Sequence, residues 1–183
     1  MKSGNKKAIF LDRDGVINKV IFREGKVSSP WKLEEFEFLP GIKELLWSMK
    51  EKGFLNIVVT NQPDIKRGFL DIEDLEKMHR VLRENFPIEE IKICPHDDDD
   101  NCFCRKPKPG LIFEAAEKYL IDLENSFMIG DGWKDIVAGK TAGCKTIFIK
   151  TDYNKEIIYN KEIQNNCDFI VDNLEEIYKI IKK

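Results

Sequence analysis

Two acids one residue apart, Asp12 and Asp14, close the apolar run 8–11, and Gly15 follows them. Glycine at that point permits a sharp turn that can bring the second carboxylate back over the first. A second acidic pair, Asp131 and Asp135, follows the run 126–129. Between the pairs lie Thr60-Asn61-Gln62 and the basic stretch Arg105-Lys106-Pro107-Lys108-Pro109-Gly110. Clustered carboxylates suit Mg²⁺, which keeps several waters and takes a few protein oxygens together with those of a phosphate. Acids, a hydroxyl and a cation gathered at one place can carry phosphoryl transfer, which is mostly positioning and charge neutralisation around an in-line displacement. A carboxylate attacking phosphorus needs its repulsion screened, and a covalent intermediate then divides one difficult hydrolysis into two steps. An isolated Asp-x-Asp usually marks a turn or a solvated loop. Only the ordered set argues for chemistry.

Cys94-Pro95-His96, five residues, then Cys102-Phe103-Cys104 form a second constellation, Cys-x-His-x5-Cys-x-Cys. Four soft or borderline ligands in a short loop suit tetrahedral Zn²⁺. With every position filled by protein, no site is left for an activated water, so the expected zinc is structural. Its loop, 94–104, is expected to pin the adjoining Arg105 and Lys106. The odd total of five cysteines speaks against a disulfide framework. Cys144 and Cys167 read as small buried apolar side chains. The acidic run 97–100 reads as solvated, and His79, without a partner at useful spacing, as a surface residue.

Something must bring these segments together. Short β-type runs at 7–11, 55–60, 90–94, 126–129, 146–149 and 169–171 alternate with helical patterns at 40–52, 71–85, 110–119, 134–142 and 174–181. In the first helical pattern Pro40 stands near the start, Ile42, Leu45, Leu46 and Met49 share a face, and Gly53 lies just past the end. This alternation predicts an α/β fold: a Rossmann-like parallel sheet with helices on both faces. Ligands of such sheets sit beyond the carboxyl ends of the strands, where Asp12, Thr60 and Asp131 all fall.

A chain of 183 residues is expected to form one domain, 1–183. A net charge of −3 leaves no basic footprint, so nucleic acid is not an expected partner. The apolar runs fall far short of the roughly 20 residues needed to cross a bilayer. Residues 1–7 are polar and lysine-rich but precede too few apolar residues to form a signal-peptide core. A cytoplasmic monomer without membrane contact is the expectation.

The motifs, in this order, resemble the haloacid dehalogenase (HAD) superfamily, and within it the zinc-bearing phosphatases of heptose 1,7-bisphosphate and histidinol phosphate. The resemblance covers nearly the whole chain. It implies that Asp12 is the nucleophile that becomes an aspartyl-phosphate. Asp14 would protonate the leaving oxygen and then act as base toward water. Mg²⁺ would be held by Asp12, the main-chain carbonyl of Asp14 and Asp131, with Asp135 beside them. Thr60, Asn61 and Gln62 would form the phosphate-binding segment. Lys106, rather than Lys108, would neutralise charge, because the family's lysine directly precedes the first proline. Arg105 would contact the rest of the substrate. Crowding by neighbouring carboxylates is expected to raise the pKa of Asp14.

About 45 residues separate Asp12 from Thr60, and a similar number separates Thr60 from Lys106, which leaves no room for a large cap domain. An open site follows, with 18–31 resembling the family's flap and Lys19, Arg23 and Lys26 available to a second phosphate. One departure stands out: Gly132 occupies a position where these enzymes often carry lysine or arginine, and Trp133 or Lys134 is the candidate replacement. The implied substrate is a sugar phosphate, D-glycero-D-manno-heptose 1,7-bisphosphate attacked at its 7-phosphate, with histidinol phosphate the alternative. A non-catalytic, zinc-stabilised phosphosugar-binding module is the competing class. The clustered acids argue against it, since a binder of anions gains little from them.

Overall fold

The structure, a computed structural model, describes residues 6–181, so most of the polar amino-terminal stretch and the last two lysines lie outside the described residues. The strands are β1 (Lys7–Leu11), β2 (Ile21–Arg23), β3 (Lys26–Ser28), β4 (Phe54–Asn61), β5 (Glu90–Cys94), β6 (Phe127–Gly130), β7 (Lys145–Ile149) and β8 (Phe169–Val171). The helices are α1 (Ile42–Glu51), α2 (Ile72–Asn85), α3 (Gly110–Tyr119), α4 (Trp133–Ala142), α5 (Lys161–Asn166) and α6 (Leu174–Ile180). Six strands make one parallel sheet in the order β5-β4-β1-β6-β7-β8.

Strand β1 shows why the sheet is covered on both faces. Its side chains alternate with period two. Ile9 and Leu11 enter a core with Ile42, Leu45, Leu46 and Met49 of α1 and Leu174 and Ile177 of α6. Ala8 and Phe10 enter another with Leu111, Ile112 and Ala115 of α3 and Ala138 and Ala142 of α4. Each large aliphatic or aromatic side chain so buried contributes roughly 1.5–3 kcal/mol. Asp12 is therefore the first residue beyond a strand clamped from both sides. From β1 the chain proceeds to β4 and β5 on one side, then returns to β6, β7 and β8 on the other. The switch in direction opens a crevice at the carboxyl ends of β1, β4 and β6.

Two elements carry no clear signal in the sequence. The segment expected as a flap contains the hairpin β2–β3, whose Glu24 and Gly25 both have positive φ, 49° and 75°. Such a turn usually announces itself as Asn-Gly or Asp-Gly, and three-residue strands with exposed Phe22 and Val27 are too short to show alternation. Helix α5 buries a single residue, Ile163, and six residues cannot establish a helical period. Among the described residues no helix is long and apolar enough to cross a membrane.

Candidate active site

The residues just past β1, β4 and β6 converge. Asp12, Asp131 and Asp135 each bring one carboxylate oxygen within 4.8 Å of the others. Asp12 is held to the sheet by its N–H, which donates to the Ile129 carbonyl at 3.0 Å. Asp135 reaches back from the first turn of α4, and Gly130 lets it do so. A Cβ at Gly130 would stand 2.1 Å from that of Asp135. Lys106 is buried with its Nζ 2.9 Å from Asp12 Oδ1 and 2.5 Å from Asp135 Oδ1, ion-pair distances without a well-aligned hydrogen bond. Lys108 is turned away, its Nζ donating to Asn101 Oδ1 at 2.6 Å and to the carbonyls of Asn101 and Cys102.

Asn61 clamps Lys106 through the main chain: its Nδ2 donates to the Lys106 carbonyl and its Oδ1 accepts from the Lys106 N–H, both at 3.0 Å. Thr60 is buried beneath, its Oγ1 accepting from Gln62 Nε2 at 2.9 Å. Gln62 also donates to Asp14 Oδ2 at 2.8 Å. The side chains of Asn61 and Gln62 thus brace Lys106, Thr60 and Asp14, with both amide NH2 groups already engaged.

Burial, partly countered by Lys106 and reinforced by the charges of Asp135 and Asp14, lifts the Asp12 carboxyl to about 6. Burial, then Asp135 and Asp12, push Asp131 up as well. Burial would lower Lys106, but the charges of Asp12 and Asp135 prevail and raise it, so it stays an ammonium. Three crowded carboxylates against one ammonium leave excess negative charge, and oxygen donors alone suit a hard cation. The residues fit Mg²⁺.

Asp14 departs from expectation in sign. Burial alone would lift it, yet the Arg13 charge and hydrogen bonds from Asn18, Gln62 and Arg13 together outweigh burial and hold its carboxyl below the ordinary range. Arg13 Nε and Nη2 grip Asp14 at 2.9–3.1 Å, and Asn18 Nδ2 donates at 2.9 Å.

Cys94, His96, Cys102 and Cys104 also come together. Five of the six ligand-to-ligand edges measure 3.2–3.6 Å. Bonds of about 2.3 Å to a central zinc imply edges near 3.7 Å, whereas a disulfide needs sulfurs about 2.05 Å apart. Burial, reinforced by Cys104, pushes the Cys94 thiol up, so a cation is required to hold it as thiolate. The donor set and spacing fit Zn²⁺, and Arg105 and Lys106 follow Cys104 directly.

A HAD-hydrolase-like family model matches residues 103–177. The D-glycero-beta-D-manno-heptose-1,7-bisphosphate 7-phosphatase of Helicobacter pylori is 44% identical over 76% of this chain and 80% of its own. The D-glycero-alpha-D-manno-heptose-1,7-bisphosphate 7-phosphatase of Campylobacter jejuni is 35% identical over 87% of this chain and 91% of its own. The chain belongs to the haloacid dehalogenase-like hydrolases. A crystal structure of the D,D-heptose 1,7-bisphosphate phosphatase of B. bronchiseptica, complexed with magnesium and phosphate, superposes with a TM-score of 0.81. That protein is 28% identical, with 96% of this chain and 99% of the other covered. Like these relatives, this HAD hydrolase is a phosphoric monoester hydrolase.

Arg13 and His79 escape sequence reasoning. His79 is only 1% exposed, which corrects its reading as a surface residue. Its Nε2 lies 3.3 Å from Arg13 Nη1 and must accept, because a guanidinium can only donate. Burial, with the charges of Arg13 and Arg83, depresses His79 to about 3, so the ring is neutral and buttresses Arg13 without repelling it. A signal was available: Leu75, Met78, His79 and Leu82 form the buried stripe of α2 at the spacing i, i+3, i+4, i+7.

The acidic run 97–100 is more than a solvated stretch. Arg67 forks onto Asp97 at 2.6 and 2.8 Å, Asp98 accepts from Arg105 at 2.7 Å and Lys134 at 3.0 Å, and Lys66 pairs with Asp100. These contacts tie the cysteine loop of the hydrolase to the segment after β4 and to α4. Lys134 therefore engages the loop instead of replacing a cation at Gly132. Trp133 packs with Ile136, Phe148 and Ile163. Cys144 is buried and pushed up to about 12 by that burial, whereas Cys167 is half-buried.

An open cavity of about 810 Å³ lies beside Asn61 and Arg105, lined among others by Arg23, Lys26, Trp31 and Arg67. Arg23 stacks over Trp31 at 3.8 Å, and Trp31 stacks on Phe69 with centroids 5.0 Å apart. Lys19 is not part of this wall, since it pairs with Glu37 and faces a different hollow.

Proposed function

We propose that this hydrolase removes the 7-phosphate of D-glycero-D-manno-heptose 1,7-bisphosphate through an aspartyl-phosphate on Asp12, with residues 1–183 acting as one domain. The observation that carries the reading is the placement of the Asp12–Lys106–Asp135–Asp131 cluster beside a cavity rimmed by Arg23, Lys26, Arg67 and Arg105. One phosphate would meet the cluster while a second met the wall, where Lys26 is exposed and Arg23, Arg67 and Arg105 would exchange the carboxylates of Glu35, Asp97 and Asp98 for it. The names of the relatives point the same way.

Asp12, Asp131 and the main-chain carbonyl of Asp14 would hold Mg²⁺, with Asp135 beside them. When bound, the metal supplies charge screening for the incoming phosphoryl group. Lys106 adds a fixed positive charge beside the attacking oxygen of Asp12. Thr60 and the main chain at Asn61 would receive the phosphoryl oxygens. Arg13, Asn18 and Gln62 hold Asp14 as a carboxylate, the form that accepts a proton from water in the second step. The first step needs it protonated, and arrival of phosphoryl charge next to it favours that form.

The test is phosphate release with Mg²⁺ from both heptose 1,7-bisphosphate anomers, histidinol phosphate, simple sugar phosphates and a 3′-phosphorylated oligonucleotide. The heptose bisphosphate should exceed sugar monophosphates by about 10- to 100-fold in kcat/KM, the worth of one charged hydrogen bond to the second phosphate. Preference for histidinol phosphate would overturn the substrate, and no turnover of anything would favour the binding module.

A structural zinc would stabilise the stretch from Cys94 to Lys106. Stripping it should lower the melting temperature by about 10 °C, corresponding to roughly 3 kcal/mol in a chain of this size. Activity should fall with it and return on adding one equivalent of Zn²⁺. Unchanged melting and activity after verified zinc removal would count against a structural metal.

A further inference from the structure

Asp131 is held from a direction the motifs do not announce. Tyr153, in the segment after β7, donates its hydroxyl to Asp131 Oδ2 at 2.6 Å. The next residue, Asn154, is buried and donates from Nδ2 to the main-chain carbonyls of Asp131 and Ile149, each at 2.9 Å. Its Oδ1 accepts from the Thr151 N–H at 2.6 Å, which closes the segment on itself. Asp131 is thus fixed through both its main chain and its carboxylate.

The opposite side is equally close. Gly15 has φ +86°, and a Cβ there would stand 2.2 Å from Asp131 Oδ2 and 2.5 Å from the Tyr153 hydroxyl. The absence of a side chain at Gly15 is what admits the pair. The Tyr153 ring meets Phe22 of the hairpin edge-on, with centroids 6.1 Å apart.

We propose that Tyr153 and Asn154 are positioning residues for Asp131, holding its carboxylate where a magnesium ion would take it. The inference rests on the magnesium reading above. Asp12 and Asp135 crowd Asp131 with like charge, which by itself favours a rotamer that swings the carboxylate away. A neutral hydroxyl restrains the rotamer without cancelling the negative charge a cation needs. Among the described residues it is the only hydrogen-bond donor to that carboxylate, and it occupies Oδ2 while leaving Oδ1 free.

The experiment is calorimetric titration of Mg²⁺ into substrate-free wild type, Tyr153→Phe and Phe22→Ala. Loss of the hydroxyl should weaken Mg²⁺ binding about 10-fold, the low end of the effect expected for groups that orient metal ligands. Turnover of Tyr153→Phe should fall at limiting Mg²⁺ and recover at saturating Mg²⁺, with KM for substrate unchanged. Phe22→Ala, which alters packing but spares the hydroxyl, should bind Mg²⁺ like wild type. Equal or tighter binding by Tyr153→Phe overturns the proposal, as does equal weakening by Phe22→Ala. Absence of binding in wild type removes the magnesium reading and this inference together, whereas binding unaffected by the loss of the hydroxyl removes only this one.

Discussion

Asp12→Asn is expected to lower turnover by about 10⁴-fold or more, because an amide cannot displace the leaving oxygen to form the acyl phosphate. The same substitution should make the metal-free protein more stable near neutral pH. In the folded chain Asp12 titrates at about 6 against 3.8 for the free side chain. Between those values the folded state holds more protons than the unfolded chain, so stability falls as pH rises through the window and stays lower above it. Asparagine carries no such penalty, and Lys106 keeps Asp135 as its partner. Melting of metal-free protein should place the variant above wild type at about pH 7.5, with the gap closing toward about pH 4. Appreciable phosphate release from the variant would remove Asp12 as nucleophile. A gap independent of pH would mean that its buried charge is not the cause.

Lys106→Met should cost both turnover and stability. It deletes the one ammonium that, among the described residues, faces Asp12 and Asp135, while roughly preserving side-chain length. Breaking a buried pair typically costs about 3–5 kcal/mol, because the remaining charge is left uncompensated. The orphaned Asp12 carboxylate escapes by taking a proton, so its folded-state pKa rises further. The loss should therefore be largest near pH 8 and shrink toward about pH 5, where protonation neutralises Asp12. Turnover should drop about 10³-fold, comparable to removing a preorganised donor from a site of developing charge. Lys108→Met is the contrast, since that ammonium meets only carbonyl and amide oxygens of the cysteine loop. If the two variants behaved alike, the assignment of Lys106 would fail.

Much of this was legible in the residues. The apolar runs ending at Leu11, Thr60 and Ile129 each placed a polar residue at a strand end, and a parallel sheet gathers such ends at one edge. The cysteine loop was legible because its ligands lie within eleven consecutive residues. Lys106 was separated from Lys108 by likeness to a family; in the structure Lys106 faces Asp12, whereas Lys108 faces Asn101.

What escaped is of another kind. The low pKa of Asp14 depends on Arg13, whose side chain doubles back from between the two acids onto a neutral His79 that lies 66 positions away. Tyr153 and Asn154 reach Asp131 across 22 and 23 positions, and the partners of the acidic run come from Lys66, Arg67 and Lys134. By itself the sequence determined the six strands of the main sheet, the order of the motifs and the candidate ligand sets, because each depends on period or spacing over a few residues. Only the tertiary structure decided which charge faces which. That depends on how crossovers between distant strands bring their loops to the same edge, where a shift of a few ångströms exchanges an ion pair for a solvated side chain and can reverse the sign of a pKa shift.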